Sequence, residues 1–189
     1  NEFSEIYGKE EIEGDKQKVR NLRNSEMEKD KTQRGEMFEA IIGKHGETAN
    51  WFGDMQSFET SEYDDRINHT DLVFWGKTRR GEDVFLGIDC TVSENQENIE
   101  KKISRIAKDI KKNRLTEIKY YKHPETEELL GLKNIPRVVI YINQSNFKKL
   151  CQIVVKVNGR ERGSNEELAN SEIKKEILEQ IKKQLENQL

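Results

Sequence analysis

The chain has little cysteine and proline, few aromatic residues and no long hydrophobic run. Cys90 and Cys151 are the only cysteines among 189 residues, which is too few for a disulfide framework. The given sequence has no N-terminal apolar segment and no membrane-spanning apolar run of about 20 residues. These absences predict a reduced, cytoplasmic protein that does not contact the membrane.

The composition indicates one domain of ordinary size with long solvated helices. Hydrophobic residues make up 33% of the chain, which is low but compatible with a core, whereas charged residues reach 37%. Only two prolines interrupt the chain, so helices at the periphery of a small sheet are expected. The sequence begins with Asn rather than Met, from which we expect a processed product or a piece of a longer protein.

Positive charge is concentrated in one segment. Residues 101–122 contain nine basic and two acidic side chains, a local charge of +7 in a chain whose net charge is −3. A basic patch on an otherwise acidic protein favours a localised contact with a polyanion over indiscriminate binding, although a merely solvated helix face is an equal alternative on charge alone.

Two neighbouring segments predict a β-hairpin. Residues 69–76 and 83–92 are rich in β-branched and aromatic side chains, and residues 77–82 between them are typical of a turn. A turn centred on Arg80 pairs residue i with residue 160 minus i. Asp71 then lies opposite Asp89, with their Cβ atoms about 5 Å apart.

Alternation along these two strands separates an apolar face from a face that carries acids. The apolar face must be core and comprises Leu72, Phe74, Val84, Leu86, Ile88, Cys90 and Val92. Asp71 and Asp89 share the opposite face with Val73, Trp75, Phe85, Gly87 and Thr91. Two carboxylates this close repel each other unless a cation lies between them, so we expect a divalent cation there. Ordinary edge-strand charges are the alternative.

Apolar spacing predicts the remaining elements. A helix is expected from Thr32 to about Lys44, with an apolar stripe of Met37, Phe38, Ile41 and Ile42, and an irregular connection follows over residues 46–68. The clearest helix begins near residue 95 and carries Ile99, Ile103, Ile106 and Ile110 on one face. Strands are expected over residues 117–122 and 137–143, and a helix capped by Ser145 comes next.

This order of elements resembles the PD-(D/E)XK nuclease superfamily, which has the restriction-endonuclease-like fold. The resemblance spans about residues 34–143 and depends on a helix with Glu, a strand that begins with Asp71, a strand that ends in Asp89-Cys90-Thr91, an amphipathic helix and an apolar strand. It implies an α/β fold with a small mixed central sheet flanked by helices, with extra N- and C-terminal helices. The corresponding division is a charged arm or linker at 1–33, a nuclease-like domain at 34–163 and an amphipathic helix at 164–189, with Leu178, Ile181 and Leu185 on one side.

The resemblance also implies a metal site. In the superfamily, acidic residues at these two strand positions hold a divalent metal beside the scissile phosphate. Asp71 and Asp89 match them, and Glu39, or alternatively Glu36, matches the glutamate that many members add from a helix. The backbone carbonyl of Cys90 would complete the protein ligands of Mg²⁺ or Mn²⁺. Carboxylates are the ligands that Mg²⁺ prefers, which agrees with hydrolysis of phosphodiesters.

One position departs from the superfamily pattern. Thr91 occupies the place of the motif lysine and carries no charge. Lys102 borders the isoleucine stripe of the next helix and is the predicted replacement, with Lys101 as the second choice. A lysine there would orient the attacking water or offset charge that develops in the transition state.

The resulting hypothesis is a Mg²⁺-dependent nuclease that acts on DNA rather than RNA. Phosphate contacts are expected from Lys101, Arg105, Lys108 and Lys112. The second hypothesis is a catalytically degenerate domain that serves a longer protein as a nucleic-acid-binding or assembly module, and Thr91 favours it. A third is a helical scaffold that forms a homodimer through the C-terminal helix.

Three further side chains have ordinary interpretations. His69 could contact a phosphate, but a surface histidine at the start of a strand is the more usual role. Trp51 and Trp75 could stack on bases, although large aromatic side chains more often pack. Spacings for a zinc site, a phosphate-binding glycine loop or a Ser/Cys-His nucleophile are absent from the sequence.

Overall fold

The computed structural model describes residues 2–24 and 33–188, and it shows a small mixed sheet flanked by helices. The strands of this sheet, in spatial order, are β1 (Gln56–Glu59), β2 (Leu72–Lys77), β3 (Asp83–Val92) and β6 (Arg137–Ile142). β2 pairs antiparallel with β1 and β3, whereas β3 pairs parallel with β6. β4 (Thr116–Lys122) and β5 (Leu129–Ile135) form a separate antiparallel pair.

The helices lie around this sheet. In chain order they are α1 (Ser4–Tyr7), α2 (Lys9–Arg23), α3 (Gln33–Ala40), α4 (Gly46–Thr48), α5 (Glu62–Asn68), α6 (Gln96–Ile110), α7 (Gln144–Asn158), α8 (Ser164–Ala169) and α9 (Glu172–Glu186). A π-helical turn, Ile41–His45, joins α3 to α4, so the helix predicted to end near Lys44 continues to Thr48. Its predicted first residue, Thr32, lies outside the described residues.

The predicted hairpin register is confirmed. From Leu72–Ile88 to Lys77–Asp83, each residue i of β2 pairs with residue 160 minus i of β3. The turn closes through a hydrogen bond from the Thr78 N–H to the Glu82 carbonyl at 2.8 Å, and Gly81 adopts a φ of 80° that glycine tolerates without strain. Alternation and local turn chemistry therefore fix this part of the sheet.

One face of the sheet forms the main core. Leu72, Phe74, Leu86, Ile88 and Cys90 are buried there against α3, α7 and the C-terminal helices. The placement of Val84 on this core was wrong. Its side chain is 41% exposed, because it pairs with Gly76 near the turn, away from the helices that cover the rest of the face.

Two predicted details of the helices also need correction. Met37 is 50% exposed, since α3 buries Phe38 and the following turn buries Ile41 and Ile42 without it. Asn143, not Ser145, caps α7, because its side chain accepts a hydrogen bond from the Asn146 N–H.

The opposite face of the sheet is covered as well. A second apolar cluster joins Val73 of β2 to Ile118, Tyr121, Leu132 and Ile135 of the β4–β5 pair. The sequence predicted β4 but not β5, and it did not predict β1 or α5, which lie in the segment expected to be irregular. The face that carries Asp89 is thus a partly buried surface beside a second core.

Both ends of the chain pack against the rest of the protein. The N-terminal segment was predicted to be a charged arm or linker, but Ile12 and Val19 of α2 are buried. At the other end, the single predicted helix is two helices, because Ser171 caps α9 after a break at Asn170. Ile173, Ile177 and Ile181 of α9 belong to the main core.

Three glutamines, two in α9 and one just after it, cover the outer edge of β6. The Gln184 side chain accepts from the Val139 N–H at 2.9 Å and donates to the Val139 carbonyl at 2.7 Å. Gln180 makes the same pair of bonds with Tyr141, and Gln188 makes it with Arg137. We call Gln180, Gln184 and Gln188 the glutamine ladder. It satisfies the backbone groups that an edge strand would otherwise leave open.

Candidate active site

Asp71 lies where α5 leads into β2. His69 ends α5 in the left-handed conformation, with a φ of 55°, and the Asp71 N–H then donates to the Ile88 carbonyl at 2.8 Å. The Asp71 carboxylate accepts the Cys90 N–H at 2.7 Å. Because strand N–H groups point within the sheet, this carboxylate lies near the sheet plane at the end of β2, rather than standing out on the face as predicted.

Asp89 and Lys102 are in direct contact. The Asp89 residue is 7% exposed, and one of its carboxylate oxygens lies 2.6 Å from the Lys102 ammonium. Lys102 reaches it from α6, where its position beside the buried Ile99 and Ile106 directs it to the sheet. Lys101 forms an exposed ion pair with Glu97 at 2.6 Å. Of the two lysines considered as replacements, the structure brings Lys102 to the acids.

The charges of Asp89 and Glu39 act on the carboxyl group of Asp71. Burial raises the pKa of Asp71 well above its ordinary value, and the negative charges of Asp89 and Glu39 raise it further, against the Cys90 N–H, which lowers it. Glu36, the alternative helical glutamate, is exposed, and the charge from α3 that acts on Asp71 is that of Glu39. The structure therefore gathers the acids named from the sequence into one region.

Cys90 and Thr91 have different surroundings. The Cys90 side chain is buried in the main core, where burial raises the pKa of its thiol, so its backbone is the part that faces the acids. Thr91 pairs with Tyr141 across the parallel strands and is partly exposed on the face of Asp89. No charged group stands at this position, in agreement with the sequence.

The sequence interpretation missed Arg137. This residue begins β6 and is 6% exposed, and its guanidinium donates to the carbonyls of Asn68 and His69, the latter at 3.0 Å. Gly87 pairs with it, and a Cβ on Gly87 would lie 3.5 Å from the Arg137 side chain and 3.1 Å from that of Thr70. Glycine thus avoids a tight contact with Thr70, while the arginine packs at an ordinary distance. The available signal was a basic residue at the first position of an otherwise apolar strand.

His69 is neutral at physiological pH. Partial burial lowers the pKa of its imidazole to about 4, and the positive charges of Arg105 and Arg137 lower it further. It therefore has no permanent charge to offer a phosphate. The positively charged groups that act on His69 are Lys102, Arg105 and Arg137, and Asp89 acts on it with a negative charge.

The side chains suggested for nucleic-acid contact divide into two groups. Lys101, Arg105, Lys108 and Lys112 are exposed on or just after α6. Trp51 and Trp75 are 3% and 4% exposed and donate to the Leu168 carbonyl and the Asp83 carboxylate, respectively. The tryptophans are packing residues, whereas the basic side chains face solvent.

The acid groups have the chemistry of a site for a hard cation. Asp71, Asp89 and Glu39 provide carboxylates, and the Lys102 ammonium stands at Asp89 as a resident positive charge. Within residues 2–24 and 33–188, no three His, Cys, Asp or Glu side chains are arranged to hold a metal as they stand. A cavity of about 370 Å³ between α2 and α5 includes none of these acids.

Comparison of the chain with protein-family models, with curated proteins and with solved structures finds no match. Nor is any helix among the described residues both long and apolar enough to cross a lipid bilayer. What the site does must therefore be inferred from its geometry.

Proposed function

We propose that this chain is a metal-dependent nuclease domain of the PD-(D/E)XK type, with a restriction-endonuclease-like core, which hydrolyses phosphodiester bonds in DNA rather than RNA. The observation that carries the proposal is the 2.6 Å contact between Lys102 and Asp89. A lysine from another element takes up the position that Thr91 leaves without charge. The succession of α3, the β2–β3 hairpin, α6 and β6 around the acids also supports it.

The site residues have complementary roles in this reaction. Asp71, Asp89, Glu39 and the Cys90 carbonyl would hold Mg²⁺ or Mn²⁺. The bound cation supplies polarisation of the phosphate and a lowered pKa for the attacking water. Lys102 would orient that water and offset the negative charge that develops on the phosphate.

The exposed face of α6 would hold the nucleic-acid backbone. Arg105 follows Lys102 by about one helical turn, and its charge acts on His69 and Arg137. Lys108 and Lys112 extend the basic surface away from the site. Contacts from these side chains to phosphates would position a strand without reading its sequence.

The second function is a nucleic-acid-binding or assembly module without catalysis. Thr91 favours it, because the usual lysine position is empty of charge. One observation argues against a module without catalysis. A charged group perturbs its neighbours over about 4–6 Å, and the Lys102 ammonium lies only 2.6 Å from an Asp89 oxygen, so a lysine is available to the acids. The scaffold hypothesis has less support, because the apolar side of α9 already packs in the core of its own chain.

Replacement of Asp89 by asparagine tests the proposal. We expect Asp89→Asn to abolish Mg²⁺-dependent cleavage of linear and supercoiled DNA while the protein stays folded, since the amide is similar in size but is a poor metal ligand. Asp54→Asn changes an exposed aspartate and should cleave as the original protein does. Cleavage that persists in Asp89→Asn would exclude the mechanism. DNA binding by the original protein without cleavage in Mg²⁺ or Mn²⁺ would favour the module.

A further inference from the structure

The acids of the site are already engaged by the protein itself. The Lys102 ammonium occupies an Asp89 oxygen at 2.6 Å, and the Cys90 N–H occupies an Asp71 oxygen at 2.7 Å. Asp71 and Asp89 lie close enough for their charges to act on each other in a partly buried region, where repulsion between ionised carboxylates is strong. The Lys102 ammonium offsets the charge of Asp89 when no metal is bound.

Arg137 is a buried cation of the region, and its guanidinium has other partners. The Arg137 guanidinium is directed to the carbonyls of Asn68 and His69. Lys102 is in a different position, because its side chain is 36% exposed and ends in a flexible stem. It can leave Asp89 by side-chain rotation alone, toward the solvent from which a phosphate would arrive.

We propose that Lys102 and a divalent cation compete for Asp89, so that the lysine closes the metal site until the cation displaces it toward the substrate phosphate. That the displaced lysine then binds a substrate phosphate rests on the proposed function. The competition itself is a binding property of the free protein. A freed ammonium gains a partner when a phosphate is present. Metal and nucleic acid should therefore bind cooperatively, each raising the affinity for the other by the same factor.

Metal affinity of the free protein gives the first test. By isothermal titration calorimetry, we expect Lys102→Met to bind Mn²⁺ about tenfold more tightly than the original protein, which corresponds to about 1.4 kcal/mol. Arg105→Met is the matched control, because it removes a positive charge one turn away that makes no contact with Asp89. Its Mn²⁺ affinity should change by less than about threefold. Equal or weaker binding in Lys102→Met, or an equal gain in Arg105→Met, would overturn the competition.

Cooperativity and folding give a second test. A short single-stranded oligonucleotide should tighten Mn²⁺ binding to the original protein, and this effect should be lost in Lys102→Met. In EDTA, Lys102→Met should melt at a lower temperature than the original protein, and Mn²⁺ should raise its melting temperature more. If the original protein cleaves DNA but these differences are absent, the inference fails and the function stands. If neither the original protein nor Lys102→Met binds Mn²⁺, both the competition and the proposed function fail.

Discussion

At the scale of single residues, the surroundings of Asp71 disfavour the ionised form of its carboxyl group. Its carboxylate is largely buried and lies near two other acids, and the pKa of Asp71 is raised for those reasons, burial being the first. The folded protein binds this proton more tightly than the unfolded chain does. The contribution of Asp71 to the free energy of unfolding therefore falls as pH rises above the ordinary aspartate range.

Asp71→Asn should accordingly stabilise the metal-free protein. The amide oxygen can still accept the Cys90 N–H, but the buried charge is removed. We expect the free energy of unfolding in EDTA to rise by on the order of 1 kcal/mol at neutral pH and to match that of the original protein near pH 3. Urea denaturation at the two pH values measures this. A loss of stability at neutral pH would show that the charge is compensated in the fold.

Asp64 is a buried acid with a different role. It is 0% exposed, and its carboxylate accepts from the backbone N–H groups of Lys119 and Tyr120 at 2.7 and 3.0 Å. It also accepts from the side chains of Ser61 and Asn68. This residue therefore fastens α5, which leads to the candidate active site, to β4.

Asp64→Ala should be strongly destabilising. Two buried backbone donors would lose their acceptor, so we expect the free energy of unfolding to fall by about 3 kcal/mol or more. Chemical denaturation followed by circular dichroism measures the change. Asp54→Ala, at an exposed position, is the control and should remain within about 0.5 kcal/mol. Similar values for the two variants would contradict the anchoring role.

Some of these residues could be found from the sequence and others could not. Lys102 could be predicted, because its place beside the isoleucine stripe fixes its direction within one helix. Asp64 and Arg137 could not, since their partners come from β4 and from the turn at His69, which are distant in sequence. Local spacing holds no information about such contacts.

At the scale of elements, predictability follows the strength of the local pattern. The β2–β3 hairpin is rich in β-branched and aromatic residues and has a glycine turn, and its register was predicted correctly. β1 has four residues, with Phe58 as its one large apolar side chain, and β5 is interrupted by Gly131 and by Asn134 with a φ of 57°. These short or irregular strands exist because neighbouring strands and the second core support them, which is a tertiary effect.

The glutamine ladder is another feature that local sequence patterns did not predict, and it can be tested by mutation. Polar residues at helical spacing look like a solvated face, yet Gln184 is 9% exposed and bonds both backbone groups of Val139. Gln184→Leu would leave a buried N–H and carbonyl unsatisfied, so we expect a loss of about 2–4 kcal/mol in the free energy of unfolding. Lys182→Leu on the exposed side of α9 is the control for urea denaturation. An equal loss in both variants would mean that the ladder adds nothing.

At the scale of the whole molecule, the charges are segregated. Residues 101–122 carry a net charge of +7, and the remaining chain is acidic. A strand of nucleic acid would be attracted to α6 and repelled elsewhere, which directs it past Lys102. The sheet order that brings α6 beside the acids was implied by the resemblance, but the second core and the packing of both chain ends were not.

The salt dependence of DNA binding tests this view of the surface. If Lys108 and Lys112 each contact a phosphate, the double variant Lys108→Ala/Lys112→Ala should bind DNA more weakly. Its slope of log affinity against log salt concentration should be shallower by about 1.8. Fluorescence anisotropy with Asp89→Asn in both backgrounds avoids cleavage during the measurement. Lys148→Ala/Lys149→Ala, two exposed lysines of α7, should leave the slope unchanged.

The covering of β6 by a helix also limits how long that strand can be. Gln180 and Gln184, four residues apart, are spaced by about 6.0 Å along α9, and Gln188 continues the series just after the helix ends, while alternate residues of a strand are spaced by about 6.6 Å. The two repeats are nearly commensurate, and over three rungs the drift is only about 1.2 Å, within the reach of a glutamine side chain. Each added rung would widen the mismatch, so a helix can close a sheet in this way only where the last strand is as short as Arg137–Ile142.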